Sequence, residues 1–217
     1  MAKVKTTFFC NNCGAESSKW MGRCPQCGEW NSLVEEVIKE TKHSRTPTNR
    51  GVGQNVMKPV ALPDIEVSNI ARIPSGYKEI DRVLGGGIVP GSLMLLGGDP
   101  GIGKSTLLLQ VSKQVAEDVG IVLYASGEES QLQLKLRAER LSINSANLHV
   151  LADTDLDHVL EKALANKPSL LVIDSIQTMY TGDIEAAPGS VSQVRECTAR
   201  LLRFAKEQNI SIIIIGH

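Results

Sequence analysis

Residues 98–106 read Gly-Asp-Pro-Gly-Ile-Gly-Lys-Ser-Thr, and the fold follows from what flanks them. The apolar run Leu93-Met94-Leu95-Leu96 precedes them, and Leu107 to Val119 carries apolar residues at helical spacing behind them. Strand, glycine-rich turn and helix in that order fit the spacing G-x-x-x-x-G-K-[ST]. Gly98, Gly101 and Gly103 admit backbone angles closed to residues with a Cβ. Successive N–H groups of the loop, Asp99, Pro100 and Ile102 lying between the glycines, can therefore turn inward on phosphate oxygens. The helix N-terminus adds the positive end of its dipole at the same spot. Lys104 offers a cation to the outer phosphates, Ser105 a hydroxyl to Mg²⁺, and Thr106 a further donor in the first turn. The stretch predicts a nucleoside triphosphate site.

The pattern continues outward from this loop. Tyr77 to Leu84 reads as a short helix with Ile80, Val83 and Leu84 on one side, ended by Gly85-Gly86-Gly87 and followed by the turn Pro90-Gly91. Beyond the loop the chain alternates. Strands are expected at Ile121–Ala125, Leu148–Leu151, Leu170–Ile173 and Ser211–Ile215, and helices at Gln131–Leu141, Leu156–Ala165 and Val191–Gln208. Continuous apolar strands separated by helices imply an α/β core, a mostly parallel sheet covered on both faces. This core is assigned to residues 61–217. Residues 35–60, polar and without sustained periodicity, read as a flexible tether.

Leu170-Leu171-Val172-Ile173-Asp174 is a buried strand ending in a carboxylate. Ligands of open α/β sheets bind along the carboxyl edge, so Asp174 can share the Mg²⁺ held by Ser105. An aspartate after a strand can also simply cap a helix, but its distance behind the phosphate loop favours metal. Glu128 and Glu129 follow the strand Ile121–Ala125 on the same edge. Either could orient and deprotonate an attacking water, or both could be the ordinary acidic start of the next helix; position alone leaves the two readings level.

The head of the chain carries a different signal. Cys10-x2-Cys13 and Cys24-x2-Cys27 stand ten residues apart, two tight turns that together can close a tetrahedral four-sulfur site. Two disulfides or an iron–sulfur cluster would use the same residues; the short paired turns and an expected reducing compartment favour structural Zn²⁺. Gly14 and Gly28 follow the second cysteine of each pair, where backbone N–H groups can approach the sulfurs. So small a ribbon, residues 1–34, needs the metal for folding energy. Trp20 and Trp30 read as packing for its small core in preference to an aromatic surface for bases. Cys197 reads as a small buried hydrophobe.

Composition narrows the classes. The 217 residues are 42% hydrophobic and 22% charged with net charge −1, which suits a soluble globular chain. No apolar run is long enough to span a bilayer and Met1 to Phe9 lacks a signal-peptide core, so a cytoplasmic protein without membrane partners is expected. Nine Lys and Arg against five Asp and Glu make residues 1–60 basic, a weak pointer to nucleic acid once zinc-bound thiolates are counted.

With these pieces in place the chain resembles the RadA (Sms) family of bacterial DNA-repair proteins, RecA-like ATPases with an N-terminal zinc ribbon. The resemblance rests on Cys10-Asn-Asn-Cys13-Gly, Lys19-Trp20-x-Gly22-x-Cys24-Pro25-x-Cys27, Tyr77-x3-Asp81-x2-Leu84-Gly-Gly-Gly, Pro90-Gly91-Ser92 and Gly97–Thr106. It implies ATP, Mg²⁺ and Zn²⁺ as cofactors, with Glu128 as the leading catalytic base and Glu129 beside it. It also implies a DNA-contacting loop at Gln177–Gln193 and a γ-phosphate sensor at His217. The expected function is a DNA-dependent ATPase of recombinational repair, binding single-stranded or branched DNA, with a RecA recombinase as partner, and moving branched intermediates as a homo-hexamer. The family continues past residue 217 with a Lys-Asn-Arg-Phe-Gly motif and a Lon-like domain. The chain is thus expected to be an N-terminal fragment with an incomplete core, its last strand slotting between the phosphate-loop strand and the Asp174 strand. Nucleotide binding is expected to survive, and ring assembly and DNA translocation to be lost with the missing part. Similarity to KaiC leaves a second reading, a zinc-dependent interaction module with a nucleotide-switched core, and an inactive fragment is the third.

Overall fold

A computed structural model describes residues 4–39, 60–64 and 71–216. His217 and tether residues 40–59 lie outside the described residues. At the carboxyl-proximal end a five-stranded sheet contains β4 (Leu93–Gly97), β5 (Val122–Ser126), β6 (Leu148–Ala152), β7 (Leu170–Asp174) and β8 (Ser211–Gly216) in the order β4-β8-β7-β5-β6, all pairs parallel. These strands follow a smaller antiparallel sheet of β1 (Val4–Cys10), β2 (Glu16–Ser17) and β3 (Leu33–Lys39). β3 runs to Lys39, so the last strand of the ribbon enters the stretch expected as tether; four of the six residues Leu33-Val34-Glu35-Glu36-Val37-Ile38 are apolar, and the strand pairs with β1 throughout.

Period-two alternation explains both faces of the large sheet. Val122, Tyr124, Leu170, Val172, Ile213 and Ile215 point into one core, packed by Leu108, Leu109, Val111 and Val115 of α2 (Lys104–Asp118) and Leu134 of α3 (Gln131–Arg140). Leu123, Ala125, Leu171, Ile173, Ile212 and Ile214 point into the other. There Leu156, Val159 and Ala163 of α4 (Leu156–Asn166) and Cys197, Leu201 and Ala205 of α5 (Val191–Gln208) cover them. Cys197 is fully buried and burial pushes its thiol up to about 11, in keeping with a packing role. A short α1 (Lys78–Val83) packs Ile80 against the first core.

Local signals set the helix starts. Ser130 and Gln133 form a reciprocal capping box on α3, Asp155 caps α4 and Ser190 caps α5. α2 begins at Lys104, three residues before its apolar periodicity does, because Lys-Ser-Thr hides the first turn from a hydrophobic pattern. β4 closes one side of the sheet as an edge strand and leaves Leu95 66% exposed. Among the described residues no helix is long and apolar enough to cross a membrane.

Candidate nucleotide site and metal centre

β4 delivers the chain to the phosphate loop at the carboxyl edge of the sheet, and α2 leaves it. Gly101 and Gly103 take φ of 80° and 102°, the left-handed region that an L side chain rarely adopts. A Cβ built on either would meet nothing within 4 Å, so the space above the loop is open on the side a ligand would use. Lys104 is buried and lies across its own loop, Nζ donating to the carbonyls of Gly98 at 2.5 Å and Asp99 at 2.8 Å. A cavity of about 320 Å³ is bordered by Pro100, Gly101, Gly103, Lys104, Ser105, Thr106, Glu128 and Arg137. Ile102 is exposed beside it.

The tips of β5 and β7 meet next to this loop. The Gly127 N–H donates to the Asp174 carbonyl at 2.9 Å. A Cβ on Gly127 would stand 2.1 Å from Thr178 Oγ1 and 2.9 Å from Thr154 Cγ2, so only a glycine lets the end of β5 lie this close to the turn after β7. Asp174 is 3% exposed; its Oδ2 accepts from the Tyr124 hydroxyl at 2.6 Å, while Oδ1 has no partner among the described residues. Burial first, and Asp174 second, push the Tyr124 hydroxyl far above its ordinary range, so it stays a donor to the carboxylate. A buried carboxylate oxygen without a partner among the described residues is chemically suited to a hard cation, so Asp174 fits Mg²⁺ as one oxygen ligand; Ser105 borders the phosphate-loop cavity, whose border does not include Asp174. The peptide bond after Asp174 is cis.

The tandem glutamates diverge. Glu128 borders the cavity and accepts from Ser175 Oγ at 2.5 Å through Oε1. Glu129 turns to α3, where Arg137 Nη2 meets its Oε1 at 2.5 Å, and its backbone N–H is held by Ser126 Oγ at 3.0 Å. Sequence reasoning missed Arg137, Ser175 and Tyr124. For Arg137 a signal existed: it shares the apolar stripe of α3 with Leu134, Ala138 and Leu141, an unusual place for a lone cation. Ser175 and Tyr124 act across 47 and 50 residues of sequence, which no periodicity reports.

The segment Gln177–Gln193, expected as a DNA-contacting loop, is organised from within. The buried Gln193 accepts from the Thr181 N–H and donates to the carbonyls of Thr181, Ile184 and Ala186 at 3.0–3.1 Å. Arg200 braces the same segment through Thr181 and Asp183. His217 lies outside the described residues.

The four ribbon cysteines gather their sulfurs within 4.8 Å of one another. The Sγ pairs Cys10–Cys27 and Cys13–Cys24 are 3.6 Å apart, close to the ~3.8 Å edge of a tetrahedron with Zn–S bonds of ~2.3 Å and far from disulfide contact. Sulfur in this number and spacing fits Zn²⁺, closed and structural. Ser32 beside Cys10 Sγ, aided by the N–H groups of Cys13 and Asn12, holds that thiol down to about 6, favouring the thiolate a metal needs. Backbone groups reach the sulfurs as expected, Asn12 and Cys13 at Cys10, Gln26 and Cys27 at Cys24, and Ala15, after Gly14, at Cys13, while the N–H groups of Gly14 and Gly28 donate to the carbonyls of Cys10 and Cys24. One expectation is corrected. Trp20 and Trp30 are 59% and 67% exposed, Trp30 under the Arg23 guanidinium at 5.7 Å. The ribbon interior is filled by Cys10, Cys24 and Leu33 with Phe8 and Ala15, which leaves no room for an indole.

With this geometry in hand, comparison with known proteins is specific. The AAA domain family matches residues 58–217 and the rubredoxin metal binding domain family residues 8–35. The DNA repair protein RadA of Bacillus subtilis is 54% identical over 217 residues, all of this chain and 47% of that protein. RadA of Listeria monocytogenes is 53% identical over 219 residues, again 47% of its length. The chain thus spans about half the length of the curated relatives it matches. A KaiC-like protein from Pyrococcus horikoshii shares the fold at a TM-score of 0.57 and 19% identity, covering 68% of this chain and 72% of that one.

Proposed function

The chain belongs to the AAA domain family, and from that premise we propose that it carries the ATP-hydrolysing core of a DNA-repair ATPase, preceded by a structural zinc ribbon and a tether. The observation that carries this reading is the cavity whose border includes Lys104, Ser105, Thr106 and Glu128 together. The loop Gly98–Thr106 binds the triphosphate through backbone N–H groups and the Lys104 ammonium. Ser105 and Asp174 hold Mg²⁺, which when bound neutralises phosphate charge. Glu128 is the general base, its carboxylate oriented by Ser175, and takes a proton from the water that attacks the γ-phosphate in line. Glu129 acts one step back, through Arg137.

The wider role rests on the similarity to RadA. Gln177–Gln193 contacts single-stranded or branched DNA, the longer protein assembles as a hexamer, a RecA recombinase is a partner, and ATP turnover moves branched intermediates in the cytoplasm. Glu128→Gln tests the chemistry. Phosphate release is expected to fall by about 10²–10⁴ while equilibrium binding of Mg-ATP stays within a few fold. Retained turnover in the variant would remove Glu128 from the base position.

A further inference from the structure

Arg137 stands where neither the phosphate loop nor the ribbon accounts for it. Its neighbours on the helix face, Leu134 and Ala138, pack into the first core, so the guanidinium is drawn off that face toward the carboxyl edge of the sheet. There it does two things. Nη2 binds Glu129 Oε1 at 2.5 Å, and the side chain forms part of the same cavity wall as Lys104, Thr106 and Glu128. Both partners of the pair are 24% exposed, so the pair is largely shielded from water where it meets the cavity wall. A purely structural staple between the Glu129 turn and α3 would not need to border the phosphate cavity.

The guanidinium has five N–H donors in a fixed planar fork, and Glu129 engages one of its nitrogens. A fork held by a carboxylate on one side can present its other donors to phosphate oxygens, whose geometry it matches. Lys104 Nζ donates to two carbonyls of its own loop and approaches the cavity from the loop side. Glu128 marks the outer end, since the water it would activate attacks the terminal phosphorus. The cation that borders the same cavity as Glu128 is therefore a candidate partner for the outermost phosphate.

We propose that Arg137, braced by Glu129, is a phosphate-contacting residue supplied in cis, which binds the terminal phosphate of a nucleoside triphosphate and so distinguishes it from the diphosphate. The inference rests on the nucleotide reading of the cavity. Glu129 is then a positioning residue, and the tandem glutamates divide their work: one faces water, the other holds the cation.

The test is calorimetric titration of the whole, zinc-loaded chain and its Arg137→Gln and Arg137→Lys variants with Mg-ATPγS and Mg-ADP. Arg137→Gln is expected to lose about tenfold or more in ATPγS affinity, the fold-change of one charge-assisted hydrogen bond. ADP affinity should change less than about twofold on the same scale. Arg137→Lys should recover part of the discrimination. Equal losses for both nucleotides, or an unchanged ratio, would reduce Arg137 to a structural role. A wild-type chain that binds neither nucleotide would instead sink the nucleotide reading itself. A second measurement needs no variant. In the wild-type chain, modification of Arg137 by an arginine-specific dicarbonyl, read by mass spectrometry, should be suppressed by Mg-ATPγS and not by Mg-ADP. Equal protection by both, or by neither where both bind, contradicts the proposal.

Discussion

Lys104→Ala is expected to abolish nucleotide binding and ATP turnover together, with phosphate release falling by at least about 10²-fold, the scale on which single electrostatic donors act in such sites. Two losses combine. The cavity loses the cation of its cradle, and the loop loses the brace that Nζ provides by donating to Gly98 and Asp99. The fold itself should survive, since α2 is anchored by Leu108, Leu109, Val111 and Val115 deep in the first core. Far-UV circular dichroism close to wild type together with absent phosphate release is the expected pair of results. Normal turnover would show that another group carries the phosphates.

The second large effect is expected at the ribbon. Cys24→Ser, or zinc removal by a chelator, should unfold residues 4–39 as a unit and leave the five-stranded sheet folded. Two of the three buried members of the ribbon cluster, Cys10 and Cys24, belong to the four-cysteine group that could hold the metal, so its loss would open the core with it. Apparent binding energies of structural zinc of about 10–16 kcal/mol exceed anything so small an apolar cluster supplies. The large sheet shares neither core with the ribbon. Both tryptophans of the chain, Trp20 and Trp30, lie in the ribbon. Their two indole N–H resonances therefore report the ribbon alone, and thermal melting followed by far-UV circular dichroism reports mainly the larger core. Collapse of the indole signals to random-coil positions with the main melting transition preserved is the expected outcome. Indole signals indifferent to zinc would overturn the structural assignment.

Much of this architecture was legible because its signals are local. The loop 98–106, the two cysteine pairs and the apolar runs Ile121–Ala125, Leu170–Ile173 and Ser211–Ile215 each announce themselves within a few residues, and the strand and helix limits of the large sheet and its helices fall within three residues of the expected ones. The order of strands was not local: the insertion of β8 between β4 and β7 came from resemblance, not from spacing. What escaped were contacts between distant elements. Tyr124 with Asp174, Ser175 with Glu128 and Arg137 with Glu129 depend on how β5, β7 and α3 converge at one edge. Gly127 carried a clue, a glycine at a strand tip, whose meaning needed the neighbouring Thr178. The tryptophans failed for a physical reason: in a ribbon this small the sulfurs and their metal occupy the centre, and large rings are left outside.

The central claim is that the cavity at the end of β4 binds a nucleoside triphosphate. Calorimetric titration of the zinc-loaded chain with Mg-ATP tests it most directly. A single saturable site is expected, together with stabilisation of the core by about 2.7 kcal/mol when the ligand is at about 100 times its dissociation constant. A chain folded by circular dichroism that gives neither heat nor a shift in melting with Mg-ATP would contradict it.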